Sequence, residues 1–284
     1  MSDAVTIAAH ALREAVRRRV LLVVSLLTAV FLGLFALAAF EAFNSLEPTS
    51  GGGIPIDERA LTGGTLLGLA MFVALFLGVV LAVFLTLDAV RGDAERGLLQ
   101  PVVVRPVGRT TLLAGRLLAA SAVCASYVVI VFLLAALITR VAGDFAPSSL
   151  VVPAAGLALG VVTVVAVSLL GTTVLSTTAN GIAVFMVFAT GLAAGLLGQI
   201  GEGLKVDALT TASSIMSWIV PFEALYQNGL HALTSDIGGA AGVIVQLGPF
   251  GGASNIGAVI WPYAVAWSAA VLALAALAFD RRDL

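Results

Sequence analysis

Apolar residues run along this chain in blocks long enough to cross a bilayer, and polar residues gather in a few intervals between them. A hydrocarbon core of about 30 Å needs about 20 apolar residues as helix. Blocks of that kind lie at 20–40, 65–87, 117–139, 150–175, 182–200 and 257–279. The fourth and fifth come from one uncharged run, 145–201, which is too long for a single helix. The split is placed at its polar cluster, Ser176-Thr177-Thr178-Ala179-Asn180-Gly181. The pattern therefore predicts an all-α fold, a polytopic membrane protein with six transmembrane helices and both termini on one side.

The intervals have patterns of their own. In residues 3–19, Val5, Ala8, Leu12 and Val16 fall on one stripe, with Arg13, Glu14, Arg17 and Arg18 mostly elsewhere. That spacing predicts an amphipathic N-terminal interfacial helix capped by Asp3; the plainer alternative is a basic flank of the first span. The chain divides into this helix, 1–19, and a six-span domain, 20–284. No cleavable signal is expected, because residues 1–19 are polar and the block after them lacks a clear cleavage site. Residues 41–64 form an acidic loop with turn chemistry at Pro48, Gly51, Gly52, Gly53 and Pro55. In the segment 201–256, Ile215, Trp218, Ile219 and Phe222 recur at helical spacing, with Asp207 placed to cap the start and Pro221 to break the helix. Leu225, Tyr226 and Leu230 continue a second piece. Two short external helices are predicted before the last span, at or dipping into the outer leaflet, with Trp218 and Tyr226 at headgroup level. Residues 237–255 are uncharged and glycine-rich, which suits a re-entrant or a packing loop.

Charge then sets the orientation. Only 11% of the chain is charged, against about 25% in a typical soluble domain. On the termini side of the six-span layout lie Arg13, Arg17, Arg18, Arg19, Arg91, Arg96, Arg105, Arg109, Arg116, Arg281 and Arg282; on the other lie Arg59, Arg140 and Lys205. The inside-positive bias places both termini in the cytoplasm of a plasma-membrane protein.

Several chemistries are missing from the sequence. Lys205 is the one lysine, and Gly201-Glu202-Gly203-Leu204-Lys205-Val206 does not fit a phosphate-binding loop. No site for nucleotide hydrolysis is expected, and no catalytic residue, cofactor or metal. His10 and His231 fall on opposite sides, and Cys124 is the single cysteine. The arginines follow a membrane boundary and make no nucleic-acid face. The spans carry no acid, lysine or arginine, which argues against a proton- or ion-coupled carrier and suits a wide apolar or lipid-facing route. Ser25, Thr28, Thr163, Ser168, Thr172, Thr173, Thr190 and Gln199 read as helix-packing devices. So do the glycines of spans two to five, Gly181, Gly191 and Gly195 included, within the chain or between two copies.

The remaining polar interval, 88–116, holds eight charged residues: Asp88, Arg91, Asp93, Glu95, Arg96, Arg105, Arg109 and Arg116. Asp93 and Glu95 open a short helical stretch, where carboxylates offset the helix dipole. Gly97 allows close backbone approach, and Leu98, Leu99 and Val102 supply an apolar face. Pro101 limits the stretch, Pro106 and Gly108 turn the chain, and Thr110 is placed to cap the returning helix. A short, rigid, half-apolar knob of this kind suits a groove on a soluble partner. Arg91, Arg105, Arg109 and Arg116 are satisfied by lipid phosphates.

The run Asp93-Ala94-Glu95-Arg96-Gly97-Leu98-Leu99, then Arg105-Pro106-Val107-Gly108-Arg109 and Leu112-Leu113-Ala114-Gly115-Arg116, resembles the type-2 ATP-binding-cassette (ABC) permease family. Leu98 stands where that family usually has threonine, and Pro101 is a second departure. The likeness covers nearly the whole chain. It implies an ABC transporter's transmembrane subunit, an exporter, working as a homodimer or pseudo-dimer with each copy docked on a separate ATPase subunit. It places Glu95, Gly97 and Leu98 in a cytoplasmic coupling helix. The residues expected to couple to the ATPase are Asp93, Glu95, Arg96, Gly97, Leu98, Leu99 and Pro106. The alternative reading is a membrane scaffold or assembly factor without a transport cycle.

Overall fold

The computed structural model describes residues 19–46, 57–87, 109–235 and 256–280. Most of those residues are helical, with no strand among them. Six helices are long and apolar enough to cross a membrane. They are α1 (Arg19–Asn44), α2 (Glu58–Thr86), α3 (Arg109–Gly143), α4 (Val151–Val174), α5 (Thr177–Leu204) and α8 (Ile260–Asp280). Two short helices, α6 (Asp207–Ile219) and α7 (Pro221–Thr234), stand between α5 and α8. The expected interfacial helix at 3–19, the loop 237–255 and most of 88–116 lie outside the described residues.

The helices outrun their apolar blocks. α2 begins at Glu58, where Asp57 accepts a hydrogen bond from the Ala60 backbone N–H at 3.0 Å and caps the first turn. The expected loop at 41–64 is shortened from both ends, since α1 continues to Asn44. α3 starts at Arg109, so Thr110 lies inside its first turn and is not its cap. Leu175 and Ser176 are extended, and α5 starts at Thr177, so the polar cluster is itself mostly helix. α5 closes with paired backbone bonds, Val206 N–H to Gly201 O at 2.8 Å and Lys205 N–H to Glu202 O at 3.3 Å. Lys205 takes the left-handed conformation that glycine usually fills in this motif.

α4 is the hub. It packs against α2, α3, α5, α7 and α8, and its buried residues lie all round it. A helix that is apolar on every side belongs in a core, and α4 has no amphipathic stripe. Phe132 of α3, Leu67, Met71 and Leu75 of α2 and Leu157 of α4 fill the main cluster around it. α1 sits at the edge. Val24, Phe35, Ala39 and Phe43 face inward, while Leu22, Leu26, Leu27, Val30, Leu34 and Leu37 face out. An outward row of that size suits hydrocarbon, not water. Thr28 links α1 to α3 by a hydrogen bond with the Tyr127 hydroxyl.

α6 and α7 part company. α6 has no buried residue, and Ile215, Trp218 and Ile219 are exposed on it. Asp207 is its first helical residue and Val206 stands at the cap position, so the expected Asp207 cap is not formed. Trp218 meets Tyr263 of α8 edge-on at 4.8 Å, and the Tyr263 hydroxyl donates to the Trp218 carbonyl at 2.5 Å. Val220 alone joins the two helices. Pro221 opens α7 at a position where its missing N–H costs nothing, which is the break the sequence predicted. α7 then enters the bundle. Tyr226, expected at headgroup level, is 1% exposed.

Two glycine pairs make the slot for α7. Gly156 and Gly160 of α4 face Leu225 and Phe222; Gly191 and Gly195 of α5 face Phe222 and Glu223. Each pair is four residues apart, the spacing that lets helix backbones approach in a membrane. A Cβ on Gly156 would stand 2.8 Å from the Leu225 carbonyl oxygen, whereas one on Gly160 would have its nearest neighbour at 3.6 Å. Gly156→Ala is therefore expected to destabilise the protein by about 1–3 kcal/mol, the usual cost of overpacking. Gly160→Ala should be neutral or slightly stabilising, because alanine is the better helix former. Thermal unfolding of the two purified variants in detergent checks the order; equal effects would refute the slot.

Candidate functional site

The residues singled out for coupling, Asp93, Glu95, Arg96, Gly97, Leu98, Leu99 and Pro106, lie outside the described residues. The structure does describe the base on which their segment stands. It leaves the bundle after Thr86 and Leu87 at the end of α2 and returns at Arg109 on α3.

The α2 side of that base is held by a polar bridge across three helices. Thr86 is 1% exposed, and its hydroxyl donates to the Ala82 carbonyl at 2.8 Å. Its one proton is then committed, so the Ser168 hydroxyl of α4, 2.5 Å away, donates to Thr86. The Ser168 carbonyl in turn accepts from Asn180 Nδ2 of α5 at 3.1 Å. Asn180 is fully buried and its Oδ1 has no partner. It lies over Gly171 of α4, which has no room for a Cβ beneath it. The small Gly181 lets the start of α5 come up against Leu87. The sequence marked Ser168 as a packing residue and left Asn180 in a linker. The α3 side is held by apolar contact instead. Leu113 of α3 packs with Ala275 and Phe279 of α8, with Leu170 of α4 against them. Thus both stems of the insert rest on α4, one through hydroxyls and one through methyl groups.

A second polar group was missed altogether, because the sequence assigned it to an external segment. Glu223 of α7 is 2% exposed. Its Oε1 accepts from Gln227 Nε2 at 3.1 Å, and its Oε2 has no partner. α7 has 14 residues, about 21 Å of helix, and is too short to be a seventh crossing. Burial raises the Glu223 carboxyl above its ordinary value, and the Gln227 bond offsets only part of that. The glycine pair Gly191 and Gly195, together with Pro221, was the signal that a helix would dock here. Beside it, Phe188 stacks on Phe222 with centroids 5.1 Å apart. A small apolar cavity adjoins them, lined by Thr163, Val164, Val184, Phe188, Phe222 and Trp267. Among the described residues no group of His, Cys, Asp and Glu could hold a metal ion.

The bridge at the base can be tested as a pair. In a double-mutant cycle, Thr86→Val and Ser168→Ala are expected to couple by about 0.6 kcal/mol, and by no more than about 1.7, the range for hydrogen bonds between helices in membranes. Unfolding measurements on the two single variants and the double variant give this number. Strict additivity would mean that the hydroxyls do not bond.

No curated protein matches the chain. A family model described as ABC-2 family transporter protein matches residues 5–284. That match takes in all six crossing helices, the insert between α2 and α3, and the short helices before α8. The chain belongs to the ABC-2 transporter family, as a membrane permease component of an ABC transporter.

Proposed function

We propose that this permease is an exporter driven by separate ATP-binding subunits that dock on the segment 88–116. The observation that carries the proposal is the pairing of family with sequence: a permease of an ATP-driven family whose own chain has no phosphate-binding lysine motif. The work must then come from another polypeptide. The charged segment 88–116 is the natural handle, because its stems rest on α4, the helix that touches most of the bundle. Asp93, Glu95, Arg96, Gly97, Leu98, Leu99 and Pro106 make that handle, with Glu95, Gly97 and Leu98 in its coupling helix.

Two copies of the chain work together in the plasma membrane, with termini and handle in the cytoplasm. The outward apolar faces of α1 and α5, Leu26, Leu34, Ile182, Met186 and Leu197 among them, offer surface for a second copy and for lipid. The crossing helices carry no charged side chain in their middle turns, which suits an apolar or amphipathic cargo.

Glu95→Ala and Gly97→Trp should each abolish the stimulation of a co-purified ATPase by the permease in proteoliposomes, while membrane insertion and yield stay as in the wild type. Unchanged stimulation would remove the docking role. Failure of any ATPase to co-purify would favour the scaffold reading. Labelling of a cysteine at position 95 from outside intact cells would overturn the sidedness.

A further inference from the structure

Among the described residues, Glu223 is the one carboxyl with a buried oxygen that has no partner. Its Oε2 and the Tyr226 hydroxyl one turn on are both buried, and neither has a hydrogen-bond partner. The carboxyl sits against Gly195, where no Cβ would fit. Gly195 is nine residues before the end of α5, about 13 Å along that helix. So the carboxyl is enclosed, it has one bond where a carboxylate wants several, and on the α5 side its Oε1 already fills the place a Cβ on Gly195 would take. A proton on the unpartnered Oε2 is the ligand that this enclosure accommodates without any rearrangement.

Among the described residues the helices packed around α7 offer no counter-charge. α4 carries no titratable side chain. α5 has Glu202, beyond Gly195 towards the helix end. α2 has Glu58 and Arg59 at its first turn, and α6 has Asp207. α8 has Tyr263 near its start and Asp280 at its far end. On α7 itself stand Tyr226 and His231. None of these bonds to Glu223; its bond is to Gln227. An ionised carboxylate there would keep one hydrogen bond and lose its hydration, a large cost. The neutral acid keeps the same bond from Gln227 and avoids that cost.

We propose that Glu223 is a proton-binding site that latches α7 into its slot. The carboxyl is protonated while α7 is seated. It gives the proton to water when α7 withdraws towards the end of the bundle where it enters. The seated state binds one more proton than the withdrawn state. Its burial raises the carboxyl's proton affinity. Seating is therefore complete below the ordinary carboxylate range, about pH 4.3, and weakens as pH rises from there towards the seated value. The inference involves no ATPase and no direction of transport, so its test stands apart from the docking experiment.

The test uses the full chain in lipid nanodiscs, without nucleotide, in a Cys124→Ala background. Ala224→Cys places a thiol on the buried face of α7, and Ser214→Cys on exposed α6 serves as the reference. The alkylation rate by a water-soluble maleimide at position 224, divided by that at 214, is followed across pH. The ratio should rise by up to about tenfold per pH unit in the range where the carboxyl loses its proton. In Glu223→Gln it should be low and flat. A flat ratio with Glu223 present, or the same rise in Glu223→Gln, overturns the proposal. Should the variant fail to fold, the infrared carbonyl band of a protonated carboxyl decides on the unmutated protein at neutral pH. Presence of the band supports the latch, and its absence overturns it.

Discussion

The structure depends on how closely two helix backbones can approach. In hydrocarbon there is no water to satisfy a short helix, so α7 is tolerable at depth only where protein encloses it. Gly156 and Gly160 on α4, with Gly191 and Gly195 on α5, give it that enclosure. Because the glycines of α4 and α5 leave room for α7 and its side chains, the polar flank of α7, Glu223, Gln227 and Asn228, is buried along with its apolar flank. Larger residues at Gly156, Gly191 or Gly195 would collide with α7 and leave it no place beside α4 and α5.

The six crossings were legible because hydropathy measures the property that makes a helix cross. Their ends were not, because hydropathy marks the hydrocarbon slab and the helix runs past it. Glu58 to Gly64 on α2 and Arg109 to Arg116 on α3 are helical without being apolar. The caps went astray for a related reason. Asp207 and Thr110 are good capping residues, but each falls within the first turn, one position or more past the place from which a side chain caps. Pro221 was read correctly because its effect is covalent and local: a fixed φ and a missing donor act wherever the residue stands.

The candidate site was legible to an uneven degree. The handle proposed at 93–99 rests on an acid pair, a glycine and an apolar pair, features of sequence alone, and lies outside the described residues. Asn180 and Glu223 gave no such notice. Each is a polar residue that composition assigns to a loop, and each is buried by a contact with a distant glycine, Gly171 or Gly195. A sequence lists the glycine and the polar residue but does not say that they meet. The absence of acids was read for the six apolar blocks alone, and Glu223 stands on a helix outside them.

The two features lie at opposite ends of the same helix pair. Ser168 and Gly171 of α4, with Asn180 of α5, close the pair at the base of the insert; Gly156 and Gly160 of α4, with Gly191 and Gly195 of α5, cradle α7 at the other end. Ser168 and Gly156 are twelve residues apart on α4, about 18 Å of helix. A helix does not shorten under load, and its core neighbours are close-packed. The Thr86–Ser168 bond ties the α2 stem to α4, and α4 is one wall of the α7 slot. At Gly156 the slot has no room for even a methyl group between α4 and the Leu225 carbonyl, so the fit of α7 depends on where α4 stands. The same close approach that allows α7 to be buried makes its seating sensitive to where the two walls stand.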